Sequence, residues 1–164
     1  MNSKKGTDWQ AIGTQSQAVG EAFETELMFQ VSRCIDLRIV KQHPETKFFG
    51  AGRAKVVGDA YPDFILFASD FTAVFDTKSI GNDSYFQVPR KRERQFEFLV
   101  DASLIVPAGY LIEWRKYGLI GWHPVRPDMR MPHRVKMGEG GSVVSHDLGG
   151  RWFSLLLEVI GYKE

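Results

Sequence analysis

Two short runs, Phe64-Ile65-Leu66-Phe67 and Phe71-Thr72-Ala73-Val74-Phe75, are dense in aromatic and β-branched residues, the types that suit a half-buried pleated strand. Only Ala68, Ser69 and Asp70 separate them, which predicts a hairpin turning at Ser69-Asp70. A two-residue turn there sets Ala68 opposite Phe71, and a four-residue loop about the same centre keeps that register. Followed back along both strands, the register sets Asp63 directly opposite Asp76. Directly opposed residues have Cβ atoms about 4.5–5.5 Å apart on one face of the sheet. Lys78 lies two residues beyond Asp76 and shares that face.

Two carboxylates and an ammonium therefore converge on a hairpin that is otherwise mostly apolar. Like charges set opposite one another destabilise a hairpin, and a divalent cation held by both carboxylates would offset the repulsion. Oxygen-only ligation favours Mg²⁺, with Mn²⁺ as a substitute, over zinc. A carboxylate pair with a nearby amine suits metal-assisted phosphodiester hydrolysis, in which the amine stabilises charge or positions the nucleophile. The alternative for the same residues is a solvated hairpin face carrying a surface salt bridge.

The rest of the chain is read around this hairpin. Val19, Phe23, Leu27, Val31 and Ile35 recur every four residues, which predicts a helix over 16–36, preceded by a flexible arm over 1–13. A short strand is expected over 37–41, ended by His43-Pro44. After Pro89, Phe96, Leu99, Val100 and Ser103 share one face, predicting a second helix that Pro107-Ala108-Gly109 ends. Strands are expected over 110–115 and 119–125. Segment 126–150, with five glycines and several basic residues, reads as a loop or flap, and 151–162 returns to the core as strand or helix. The order of helix, strands, helix, strands indicates an α/β fold with a mixed central sheet flanked by helices. At 164 residues with 43% hydrophobic and 25% charged, the chain suits one domain, 1–164. The single Cys34 makes no intramolecular disulfide, and no apolar run approaches a membrane span, so a cytoplasmic location is expected.

Pro62-Asp63 followed by Asp76-Thr77-Lys78 after a strand–turn–strand interval resembles the motif of the PD-(D/E)xK nuclease superfamily. Gly20 and Glu24 resemble the Gly-x-x-x-Glu of that superfamily's resolvases, and Gln95 matches the Gln they carry after the motif Lys. Order and spacing are most similar to the RecU-like and archaeal Holliday-junction resolvases, over residues 20 to 122. The resemblance implies a restriction-endonuclease-like core and a DNA endonuclease. It implies that Asp63, Asp76 and the Thr77 carbonyl bind the metal, and that Lys78 orients water or stabilises the scissile phosphate. Glu24 would approach the metal from the helix, and Gln95 would position Lys78 or the phosphate. Asp76 stands where the resolvases usually have Glu, which shortens its reach. From the residues alone, Glu24 also fits a solvated acidic helix side, with Glu21 as the fallback site residue.

Arg90, Lys91, Arg92 and Arg94 crowd the start of the second helix. Cations there oppose the helix dipole, and phosphate contact would account for them. Arg126, Arg130, Arg134 and Lys136 form a second basic set, suited to a mobile clamp on a DNA backbone. Solvated charge runs are the alternative for both. The histidines lack zinc-ligand spacing, and no phosphate-binding Gly-rich loop or serine-hydrolase elbow is present. The expected activity is a Mg²⁺-dependent endonuclease, most like a Holliday-junction resolvase and so a homodimer making paired cuts in branched DNA. Another nuclease of the superfamily, of restriction or repair type, or a non-catalytic nucleic-acid-binding module on the same fold, are the alternatives.

Overall fold

A computed structural model describes residues 9–42, 45–48, 54–57 and 61–163. The central sheet has six strands in the order β1 (Arg38–Lys41), β4 (Phe64–Phe67), β5 (Thr72–Ile80), β7 (Ala108–Trp114), β8 (Leu119–Pro124) and β10 (Ser142–Ser145). All neighbours are antiparallel except β5 and β7, which run parallel. A parallel pair needs a crossover, and α2 (Glu93–Ala102), led in by a 3₁₀ turn at Arg90–Arg92, supplies it. Two small ribbons are not hydrogen-bonded into this sheet, β2 (Glu45–Phe48) with β3 (Ala54–Val57), and β6 (Tyr85–Gln87) with β9 (Arg134–Lys136).

The sheet buries both faces. Alternation along β5 sends Ala73 and Phe75 to one side and Val74 and Asp76 to the other. On the first side, Phe64, Leu66, Leu111, Ile120 and Trp122 join them. There they pack on α1 (Trp9–Ser32) through Phe23, Leu27 and Val31, and on α3 (Arg151–Ile160) through Trp152, Leu156 and Leu157. On the second side, Phe96 and Leu99 of α2 pack on Val74, Ala108, Ile112 and Trp114. The expected mixed sheet flanked by helices is the observed architecture.

Several boundaries differ from the sequence reading. α1 begins at Trp9 and stops at Ser32, so 9–13 of the expected arm are helical, while 1–8 lie outside the described residues. Because the helix has ended, Ile35 falls off the apolar stripe and is 87% exposed; Leu37 enters the core instead. His43 and Pro44 lie outside the described residues. The helix after Pro89 ends at Ala102, and Ala108-Gly109 open β7 rather than terminate the helix. A Cβ on Gly109 would lie 2.3 Å from the His123 carbonyl oxygen, so glycine is needed there for the close approach of β8. Segment 126–150, expected as a loop or flap, carries β9 and β10. Val135 is buried against the α2 core, and Val143-Val144 extend the sheet beside β8; these short apolar stretches among glycines were too brief to show a period. The 151–162 segment, left open between strand and helix, is α3.

Candidate active site

The hairpin register is the one the sequence implies: Phe64 pairs with Phe75, Ile65 with Val74, Leu66 with Ala73 and Phe67 with Thr72. Asp63 immediately precedes β4, and extension of the ladder by one step sets it across from Asp76. The two carboxyl groups lie close enough for each to shift the other's proton affinity. Asp76 is fully buried, and its carboxylate forms an ion pair with Lys78 on the same face of β5. Its Oδ1 accepts a hydrogen bond from Gln95 Nε2 at 3.0 Å, and that same amide nitrogen donates to the Tyr61 carbonyl oxygen at 3.0 Å. Because a main-chain carbonyl only accepts, this bond sets which way the buried Gln95 amide points. α2 thus holds both the carboxylate and the chain segment leading into Asp63.

Glu24 reaches the pair from the other side. Thr77 projects toward α1, and its hydroxyl donates to Glu24 Oε1 at 3.2 Å. The same hydroxyl and the Thr77 N–H also lie within reach of Asp63 Oδ2, at 3.5 and 3.4 Å. Lys41, at the end of β1, pairs with Glu24 Oε2 at 2.5 Å. Glu24, Asp63, Asp76, Lys78 and Gln95, together with Thr77, therefore form one connected cluster, although they come from α1, β5, α2 and the segment leading into β4 and span 72 positions of the chain. Glu21 is exposed and bonds to Gln17 one turn away, so it takes no part.

The electrostatics follow from burial. Removal from water pushes the Asp76 carboxyl up to about 8, aided by the Asp63 carboxyl and opposed by Lys78. Burial also pushes Asp63 upward, but the hydrogen bond from Asp76, the charge of Lys78, the Thr77 N–H and the charge of Arg92 outweigh it and hold Asp63 below the usual carboxylate range. Near neutral pH the pair thus shares one proton and carries a single negative charge, which Lys78 balances. Beside it on β7, Tyr110 pairs in register with Asp76. Burial, and then the charge of Asp76, raise the proton affinity of its hydroxyl, which has no hydrogen-bond partner among the described residues.

Whether this group suits a divalent cation depends on its donors. Among the described residues no group of three or more His, Cys, Asp or Glu side chains is placed to hold a metal ion. The set here is two touching carboxylates, all hard oxygen donors. That fits Mg²⁺, which is commonly held by one or two carboxylates with water completing the shell, better than zinc, whose sites draw mainly on His and Cys.

The basic residues separate into distinct roles. Arg92 is half-buried and acts on Asp63, whereas Arg90, Lys91 and Arg94 are exposed. Arg126 pairs with Asp128 at 3.4 Å, and Arg130 donates to the Pro127 and Met129 carbonyl oxygens, so both have local partners in their own turn. Arg134 and Lys136 stand on β9, and Lys136 lies 3.5 Å from Glu139. The sequence reading missed Lys41, Tyr110 and Phe86, whose ring lies 5.9 Å from the Lys78 ammonium. None carries a local signal: each is brought in by the pairing of strands distant in sequence.

No protein-family model matches the chain, and no curated protein matches it. Among solved structures, the fold is similar to that of Hjc, a Holliday junction resolvase from the archaeal hyperthermophile Archaeoglobus fulgidus, with 13% sequence identity and a TM-score of 0.49 over 87% of this chain and 100% of that one. A similarity this distant concerns the course of the backbone and does not bear on the side chains of a site.

Proposed function

We propose that this chain is a Mg²⁺-dependent DNA endonuclease of the PD-(D/E)xK type, acting on branched DNA as a Holliday-junction resolvase. The observation that carries the reading is the meeting of Asp63 and the buried Asp76 across the β4–β5 ladder, with Lys78 ion-paired to Asp76 and Gln95 bound to it. A structural salt bridge needs one carboxylate. A second one buried against the first is an electrostatic cost that a hard cation would remove.

Asp63 and Asp76 would hold the cation, with the Thr77 carbonyl as a further oxygen ligand. The ion supplies Lewis acidity toward a phosphoryl oxygen and stabilises the charge that develops on the phosphate. The remaining work falls to the protein. Lys78, ion-paired with Asp76 on the same face of β5, would stabilise charge on the scissile phosphate or orient the attacking water. Gln95 orients Asp76 through Oδ1, and the Thr77 hydroxyl ties Glu24 to Asp63. Arg90, Lys91 and Arg94, exposed at the start of α2, would contact the DNA backbone. Paired symmetric cuts call for a two-fold homodimer with one site in each subunit.

Asp63→Ala and Asp76→Ala are expected to abolish Mg²⁺-dependent cleavage while leaving binding to a four-way junction intact. The measurement is a cleavage assay over duplex, flap, single-stranded and four-way-junction substrates, paired with gel-shift binding. If either variant cleaves like the parent, the site is assigned wrongly. Preference for duplex or flap would shift the reading to a restriction or repair nuclease.

A further inference from the structure

The β6–β9 ribbon is built in two faces. Phe86 pairs with Val135, and these two point inward: Val135 is buried in the α2 core, while Phe86 packs edge-on against Tyr110 at 5.5 Å and lies 5.9 Å from the Lys78 ammonium. Alternation sends Tyr85, Gln87, Arg134 and Lys136 to the outer face, where all four are exposed. The ribbon is therefore pinned directly beside the proposed catalytic lysine and presents a separate polar surface to solvent. On that surface the Arg134 guanidinium lies 4.4 Å from the Tyr85 ring centroid. Among the described residues no carboxylate pairs with Arg134, and Tyr85 is 42% exposed.

A phosphate gains nothing from an exposed aromatic ring, whereas a nucleobase gains a stacking surface, and a guanidinium plane extends it. A base inside a duplex is already stacked and offers no free face. From the pairing of Tyr85 with Arg134 next to Lys78, we infer that the outer face of this ribbon is a platform for an unpaired base of the substrate strand. Arg134 and Lys136 engage the neighbouring phosphates. This rests on the nuclease reading and adds a substrate class to it: DNA with unstacked nucleotides close to the cut.

The test uses the full chain in Ca²⁺ without Mg²⁺, to suppress cleavage. The probes are a splayed-arm DNA with 2-aminopurine at its first unpaired position and a fully paired duplex of the same sequence. Tyr85→Leu keeps apolar bulk without a π-face, and Tyr85→Phe keeps both; thermal melts check that each variant folds. Stacking contacts of this kind change affinity by roughly tenfold to a hundredfold. The parent and Tyr85→Phe are expected to change the 2-aminopurine emission on binding. Tyr85→Leu is expected to lose that change and to bind the splayed arm at least about tenfold more weakly, with duplex affinity unaltered. An unchanged emission response in Tyr85→Leu overturns the platform, as does equal weakening on duplex, which marks a general backbone contact. In both cases Mg²⁺-dependent cleavage by the parent would leave the nuclease reading standing. A parent that neither binds nor cleaves any of these DNAs overturns both.

Discussion

At the scale of single residues the site is governed by one buried amide. Gln95 Nε2 is the donor shared by the Tyr61 carbonyl and Asp76 Oδ1, and both acceptors lose it if the side chain becomes apolar. Leaving a buried acceptor unsatisfied costs about 1–3 kcal/mol, so Gln95→Leu should lower unfolding stability by that order in urea denaturation. Gln95 also favours the ionised form of Asp76, since a hydrogen bond to a carboxylate stabilises its charge. Its loss should therefore move the alkaline-rising limb of the cleavage pH profile to higher pH. A merely space-filling glutamine would lower stability without moving that limb.

Among the elements, α1 presents a glycine that the fold does not require. Among the described residues, a Cβ on Gly20 would meet nothing within 4 Å, and Gly within a helix costs about 0.8–1 kcal/mol relative to Ala. Gly20→Ala is expected to raise stability by about 1 kcal/mol in chemical denaturation. One turn on, Glu24 faces Thr77 and Lys41, so the open space at Gly20 adjoins the proposed site. Cleavage by Gly20→Ala should fall while its stability rises, if DNA occupies that space. Equal cleavage by parent and variant would show that the glycine serves no substrate contact.

For the molecule as a whole, pH dependence reports the site without any substrate. The folded state holds the Asp76 proton up to about pH 8, whereas the unfolded chain releases it near 3.8. The stabilisation is complete below the lower value and is lost as pH rises through the upper one. His123 acts in the opposite sense. Burial lowers its pKa to about 4, so its contribution is present above 6.5 and is lost as pH falls through 4. His133, also lowered by burial and then by the charge of Arg126, acts in the same sense as His123, so the histidines oppose Asp76 below about 6.5, and above that the Asp76 slope remains. Metal-free protein should therefore melt at progressively lower temperature from about pH 6.5 to 8, by at most about 1.4 kcal/mol per pH unit. Mg²⁺ should stabilise most at the alkaline end, where it no longer competes with the shared proton, and Asp76→Asn should flatten the slope. Calorimetric melts with and without Mg²⁺ measure both.

How much of this was legible beforehand follows from the range of the interactions involved. The β4–β5 register, and with it the meeting of Asp63 and Asp76, was readable because a tight turn couples positions only thirteen apart in a strict period of two. The apolar stripe through Phe23, Leu27 and Val31 was equally local. The end of α1 was misplaced, since Ile35 keeps the spacing of the stripe after the helix has stopped. Lys41 reaching Glu24, Tyr110 lying beside Asp76, and Phe86 lying against Lys78 all depend on strands paired across the fold. No period along the chain records such pairings. The residues alone thus determined that two carboxylates and an ammonium would share one face of a hairpin. Tertiary packing decided how deeply they are buried and which neighbours enclose them, and those two factors govern where the proton resides.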